Sequence, residues 1–173
     1  IGAGLLVLVG ISATDDASAI EWATRRILGI RLWEESGKAW SKSVTALGLE
    51  VLLVSQFTLY CALKGHKPDF HNAMPPAPAR EFWTSFVQAV SAAHKGKVQQ
   101  GQFGAKMLVD LVNDGPVTIE LEHPAPALSR ALVCTRAGSN ARPACGHCLK
   151  HTVKHSTPSR RGHATTPHPA FSE

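Results

Sequence analysis

Ser55-Gln56 is a polar pair set into an otherwise apolar run that starts near Leu49, and Phe57 follows it at once. Buried polar groups of this kind need hydrogen-bond partners. At a strand end those partners are either structural or a ligand. No hydrolytic triad recommends itself: Ser55 has no evident base, and the nine histidines fall into no Ser-His-Asp or Cys-His layout. Cys61 is a nucleophile in principle, but a lone cysteine on a strand is more often a small packed residue. Near the C-terminus, Cys145, Cys148, His151 and His155 spell C-x2-C-x2-H-x3-H. Those ligand types suit zinc, yet the pairs stand much closer together than in a zinc finger and no apolar residues remain nearby for a mini-core. No metal and no cofactor is expected.

The second chemically distinctive stretch is Asn113-Asp114-Gly115-Pro116-Val117-Thr118. Gly115 can take backbone angles closed to other residues, and Pro116 fixes its own φ and lacks an N–H. A Gly-Pro bond is also the ordinary place for a cis peptide. Phe103, Ala105, Met107, Val109 and Leu111 alternate before this stretch, and Val117, Ile119 and Leu121 alternate after it. The pattern predicts two strands joined by a tight connection, with a plain hairpin turn as the simplest reading.

The elements that must position these residues read as follows. Gly4 to Ile11 is apolar on both faces and predicts a buried strand. Ser12, Thr14, Asp15 and Asp16 give helix-start signals, and Ala19, Ile20, Ala23, Ile27 and Leu28 fall on one helical face before Gly29. Ile30 to Glu34 and Ala39 to Ser43 form a hairpin around Glu35-Ser36-Gly37-Lys38. Leu49 to Tyr60 is the central strand. Lys64 to Phe70 is a loop with two lysines. The prolines between Met74 and Pro78 precede a helix from Arg80 to His94, with Phe82, Phe86, Val90 and Ala93 inward and Trp83 as packing.

Length and composition allow one domain plus a tail. No apolar run reaches membrane-spanning length, and no signal-peptide layout is visible. Up to Ala127 eleven Lys or Arg face twelve Asp or Glu, a net of −1; from Leu128 seven face Glu173 alone, a net of +6. The basic balance therefore belongs to residues 128–173, whose Ala, Pro, Ser, Thr, His and Arg predict a disordered tail behind a domain of residues 1–127. The four cysteines suggest no disulfide framework, which points to a reducing cytoplasmic setting, with the nucleus as the alternative.

Four stretches in this order and at these separations carry a family resemblance: Ser55 to Tyr60, Lys64 to Phe70, Gly101 to Ala105, and Asn113 to Thr118. Trp40 to Ser43 and Pro116 to Leu121 add to it. Over about residues 1–126 the chain resembles the D-aminoacyl-tRNA deacylases (D-tyrosyl-tRNA deacylases), and the animal-type members most closely. The resemblance implies an α+β fold: a mixed, partly barrel-like β-sheet with two main helices packed on it, assembled as a homodimer. It also implies hydrolysis of the ester between a D-amino acid, or glycine, and the terminal adenosine of tRNA. Such an ester is already activated, so positioning and main-chain N–H donors can suffice, with the 2′-hydroxyl of the tRNA assisting.

Carried over to this chain, Ser55, Gln56 and Phe57 would line the reaction pocket, with amides around Phe57 and Thr58 as oxyanion donors. Thr118 matches a threonine considered catalytic in the family, though a β-branched strand residue is an equal reading. Phe103 and Met107 match contacts to the terminal adenosine, or they are core packing on one face of a strand. Lys64 and Lys67 would meet tRNA phosphates, or they sit in a solvated loop. Gly115 and Pro116 would form a cis peptide reaching into the other subunit's site, where rigid carbonyls reject a side chain in the L position.

Family members begin with roughly two dozen more residues, a strand and hairpin absent here. That segment is expected to supply an arginine that fixes the Gly-Pro loop, so an exposed sheet edge and a loosened corner are expected in this chain. The competing reading is a non-catalytic DNA- or RNA-binding protein acting through the basic tail. Deletion after Ala127 separates the two: the enzyme reading expects deacylation to survive, and the binding reading expects all detectable function to vanish.

Overall fold

The computed structural model describes residues 1–123, 132–138 and 153–155. Strand β1 (Gly4–Val9) and strand β4 (Glu50–Ser55) run parallel at the centre of a sheet, with almost every residue buried. Between them in sequence lie helix α1 (Ala17–Gly29) and the hairpin β2 (Arg31–Glu35) and β3 (Lys38–Ser43). After β4 come a short 3-10 turn (Phe57–Tyr60), the hairpin β5 (Ala62–Lys64) and β6 (Lys67–Asp69), and helix α2 (Pro76–Ala93). Then follow β7 (Val98–Gln100), β8 (Met107–Val109), β9 (Asn113–Leu121), β10 (Leu132–Ala137) and β11 (Val153–His155). The main sheet has the order β7-β4-β1-β10-β9, parallel from β7 to β1 and antiparallel from β1 through β9.

Alternation across β1 and β4 divides the core into two layers. Leu5, Val7, Val9, Val51 and Leu53 point to the helical side, where they meet Ile27 and Leu28 of α1 and Trp83, Phe86 and Val90 of α2. Leu6, Leu52 and Val54 point the other way, against Leu8, Met107 and Val109. The mixed α+β reading therefore holds, with both helices on one face of the sheet. Helix α1 starts where the acid signals predict, the Asp16 carboxylate accepting from the Ser18 amide at 2.9 Å.

Several element readings are corrected. The central strand ends at Ser55, and Phe57 to Tyr60 coil into a 3-10 turn although their apolar character continues that of the strand. The loop from Lys64 to Phe70 is part of a hairpin, Lys64 pairing with Lys67. Helix α2 starts four residues earlier than Arg80, with Pro75 as its cap and Pro76 at its first position, where no N–H is needed. Its inward face keeps Trp83, Phe86 and Val90 as expected and adds Ala79 and Val87, while Phe82 is half-buried and Ala93 is exposed. The predicted hairpin around Gly115-Pro116 does not form: β8 pairs with β11, and β9 pairs with β10. Phe103 lies in a turn rather than a strand.

The largest correction concerns the boundary at residue 127. Leu132–Ala137 lies beyond it, yet forms an interior strand between β1 and β9. Val133, Cys134 and Thr135 can do this because β-branched and small residues fit a pleated, buried surface. Both edges of β1 are thereby paired, to β4 on one side and to β10 on the other. Deletion after Ala127 would remove a strand from the middle of the sheet, so it cannot separate the enzymatic from the binding reading. The candidate zinc residues Cys145, Cys148 and His151 lie outside the described residues, and of His155 the backbone alone is described.

Candidate active site

The C-terminal end of β4 delivers Ser55 and Gln56 to the rim of a groove. The Gln56 amide donates to the Val9 carbonyl at 2.7 Å, which ties the strand end to β1. The chain then turns into the 3-10 segment, and the Gln56 side-chain amide donates to the Thr58 hydroxyl. Phe57 projects outward, 58% exposed, and meets the edge of Phe70 at 5.0 Å between ring centroids. The leading N–H groups of a helical turn have no partner within the turn. At this turn they belong to Phe57 and Thr58, the residues directly after Ser55 and Gln56.

The opposite wall comes from the start of α2 and from the segment around Phe103. Phe103 is half-buried, backed by Trp83 at 6.3 Å, and the Arg80 guanidinium stands 5.0 Å over its ring. Trp83 is fixed in turn by its indole N–H, which donates to Gln100 at 2.9 Å. The resulting groove has a volume of about 780 Å³ and brings together Ser55, Gln56, Phe57, Phe103 and Met107. Arg80, Lys106 and Phe70 also line it and were not picked out as site residues from the sequence. Arg80 was legible only as the first residue of a helix; its place over Phe103 depends on how α2 docks.

Other predicted site residues stand elsewhere. Lys64 and Lys67 sit exposed on the β5–β6 hairpin, outside the groove, and Lys64 is ion-paired with Asp69 at 2.5 Å. The Lys64 ammonium first, and then the His71 amide, hold the Asp69 carboxyl well below the usual carboxylate range. Cys61 is exposed and does not line the groove, and no histidine lines it among the described residues. His94 is buried and committed, its Nε2 donating to the Leu49 carbonyl at 2.8 Å with Nδ1 3.3 Å from the Thr45 hydroxyl.

Gly115 and Pro116 lie within β9, joined by a cis peptide, and Gly115 has φ +127°. Thr118 is on the same strand, its hydroxyl 3.2 Å from that of Thr135. Pairing register fixes how far these residues are from the groove of their own chain. The corner is level with Arg136, Leu5 and Val51, whereas Ser55 is level with Val9 and Leu132. That is roughly 13 Å along the strands and roughly 14 Å across three strand spacings. Corner and groove thus stand well apart both along and across the sheet.

The corner is nonetheless held. Arg136 Nε donates to the Asp114 carbonyl at 3.0 Å and stands 3.3 Å from its carboxylate, while Nη1 donates to the Leu32 carbonyl at 3.0 Å. The loosened corner expected from the sequence is thus not found.

Residues 1–122 match the family model described as D-Tyr-tRNA(Tyr) deacylase. D-aminoacyl-tRNA deacylase 1 of Mus musculus is 53% identical over 128 residues, which cover 73% of this chain and 61% of that protein. D-aminoacyl-tRNA deacylase of Drosophila melanogaster is 53% identical over 125 residues, covering 72% of this chain and 79% of that protein. A solved structure described as c-Myc DNA Unwinding Element Binding Protein superposes with a TM-score of 0.67 at 50% identity, covering 70% of this chain and 83% of that one. The chain spans about three fifths of the length of the mammalian relatives, a match of 61%. With a matching family model over residues 1–122 and relatives 53% identical over nearly three quarters of its length, this chain belongs to the D-Tyr-tRNA(Tyr) deacylase family.

Proposed function

We propose that this chain hydrolyses the ester bond of D-aminoacyl-tRNA, and of glycyl-tRNA, releasing the free amino acid and tRNA. The observation that carries the reading is the single groove in which the Ser55-Gln56-Phe57 strand end faces Phe103 and Met107. Its volume of about 780 Å³ falls in the ordinary range for small-molecule sites. It suits the terminal adenosine and its aminoacyl group rather than a whole acceptor stem. Phe103 offers a ring for the adenine, and Arg80 and Lys106 bring positive charge to the same wall. The ester carbonyl would lie at the turn, where the Phe57 and Thr58 amides stabilise the developing oxyanion. The attacking water needs no side-chain base if the tRNA 2′-hydroxyl assists.

The handedness filter in this proposal is the Gly115-Pro116 corner of a second subunit. The register distance between corner and groove supports a two-chain site. In an isologous homodimer each chain would lend its corner and receive its partner's. Carbonyls held close to the substrate α-carbon leave room for hydrogen on that side and none for a side chain. Thr118 travels with the corner, so its part in the reaction would also be played in the other subunit's groove. Lys64 and Lys67, on an exposed hairpin next to the Phe70 rim, would meet phosphates further along the acceptor end. The free thiols of Cys61 and Cys134 fit a cytoplasmic site of action.

The test compares hydrolysis of D-tyrosyl-tRNA and L-tyrosyl-tRNA by the full chain. The proposal expects cleavage of the D form alone. Rapid cleavage of both would end the chirality argument, and cleavage of neither would end the deacylase reading.

A second reading, polyanion binding through the basic residues after Ala127, is favoured by the description of the 50%-identical structure as a DNA-unwinding-element binder. It predicts DNA affinity that falls steeply with salt. Arg136 is already engaged within the sheet, which leaves six of the seven basic residues for this role.

A further inference from the structure

We infer that the segment Leu132–Ala137, beyond the family match at residues 1–122, is a working part of the site, and that Arg136 is the positioning residue that holds the Asp114-Gly115-Pro116 corner. Strand β10 has both edges occupied. It pairs with β1 from Leu132 to Ala137 without a break, so its own backbone is fixed. On its other side the pairing is interrupted: Thr135 faces Thr118 and Ala137 faces Asn113. Four residues of β9, 114–117, thus stand opposite Arg136 alone. The surplus backbone must leave the line of the strand, which makes the corner a projection rather than a flat segment.

A projecting loop of this kind keeps one shape only if something spans its mouth. Arg136 does so. One guanidinium reaches the Asp114 carbonyl, the Asp114 carboxylate and the Leu32 carbonyl on β2, at 3.0, 3.3 and 3.0 Å. Its side chain is 19% exposed, so these bonds are partly shielded from water. The corner is closed on one flank by Gly138, whose amide donates to the Val112 carbonyl at 3.3 Å. On the other flank Arg136 Nη2 stands 3.4 Å from where a Cβ on Gly115 would lie. The planar fork can donate to two separate carbonyls at fixed angles, whereas a lysine supplies one point charge on a flexible stem. The carbonyl at the entrance of the corner, that of Asp114, is therefore held by a residue that the family match does not include.

The functional half of this inference rests on the deacylase reading; the holding of the corner does not. The experiment uses the full chain with Arg136→Gln and Arg136→Lys, checked for retained fold by circular dichroism. Backbone 15N relaxation reports Gly115 and Val117 directly. Order parameters near about 0.85 in the parent are expected to fall below about 0.6 in Arg136→Gln, with α1 and α2 unchanged. The D-over-L preference in hydrolysis of tyrosyl-tRNA is expected to fall about tenfold or more in Arg136→Gln, the size of effect a charged hydrogen bond carries, and to recover in part in Arg136→Lys. A purely structural strand would lower total activity and leave the D-over-L ratio alone. Unchanged order parameters at Gly115 and Val117 would overturn the holding role. Loosened residues with an unchanged ratio would overturn the positioning role. A parent without hydrolysis would sink the deacylase reading, while the relaxation data would still decide whether Arg136 holds the corner.

Discussion

Cys134 gives the sharpest check that β10 is an interior strand. It is fully buried, paired with Val7 on one side and Ile119 on the other. Burial pushes its thiol up to about 12. That is about three units above an ordinary thiol, so at pH 8 the reactive thiolate is roughly a thousandfold scarcer than for a free cysteine. Cys61 is exposed at the end of the 3-10 turn, open to reagent. In a chain carrying Cys145→Ser and Cys148→Ser, one thiol is expected to react with a chromogenic disulfide promptly. The second is expected to react at least about a thousandfold more slowly until denaturant is added. The sign of the accompanying pH effect follows from the same shift. Between pH about 9 and 12 the unfolded chain releases a proton that the folded chain keeps, so stability is full below that window and falls as pH rises through it. Equal reaction rates for both thiols in the folded protein would refute the placement of β10 and with it the holding of the corner.

Other consequences can be measured separately. Gly115→Ala places a Cβ 2.7 Å from Val117 Cγ2 and 3.0 Å from the Val117 amide at φ +127°, so urea denaturation is expected to show a loss of about 1–3 kcal/mol. Phe103→Ala is expected to raise KM for D-tyrosyl-tRNA by about tenfold through lost base stacking, with kcat less affected. Lys64→Gln removes the leading influence on Asp69 and is expected to raise that carboxyl's titration midpoint, read by carbonyl NMR.

The parts of the fold that read directly from sequence are those whose signal is local. Val7, Val9, Val51 and Leu53 sit in unbroken apolar runs, and such runs are what a strand buried on both faces requires. Asp16 announces its helix because a cap is a contact between near neighbours. The failures share one cause, pairing between distant residues. Alternation around Gly115-Pro116 is real, but it reports a strand and not its partner, and the partner of β9 lies beyond the family resemblance. Val133-Cys134-Thr135 was hidden because the prolines, arginines and serines around it dominate any windowed composition. The sequence reading starts α2 at Arg80, after the prolines, although the first turn is the one place in a helix that accepts them. In the site, Ser55, Gln56 and Phe57 could be singled out because a polar break in a buried strand is conspicuous. Arg80 could not, because nothing in its sequence neighbourhood points to Phe103.

The central claim is that a groove and a corner too far apart in one chain act together in two. Mixing subunits tests it directly. Gln56→Ala cripples the groove but keeps the corner, whereas Gly115→Ala keeps the groove but spoils the filter, so alone it is predicted to cleave both D- and L-tyrosyl-tRNA. In a dimer of one copy of each, the one working groove meets an intact corner. After subunit exchange with a large excess of Gln56→Ala, the Gly115→Ala chain is therefore predicted to reject L-tyrosyl-tRNA again while still cleaving the D form. Cleavage of L-tyrosyl-tRNA that persists undiminished in the mixture would contradict the account.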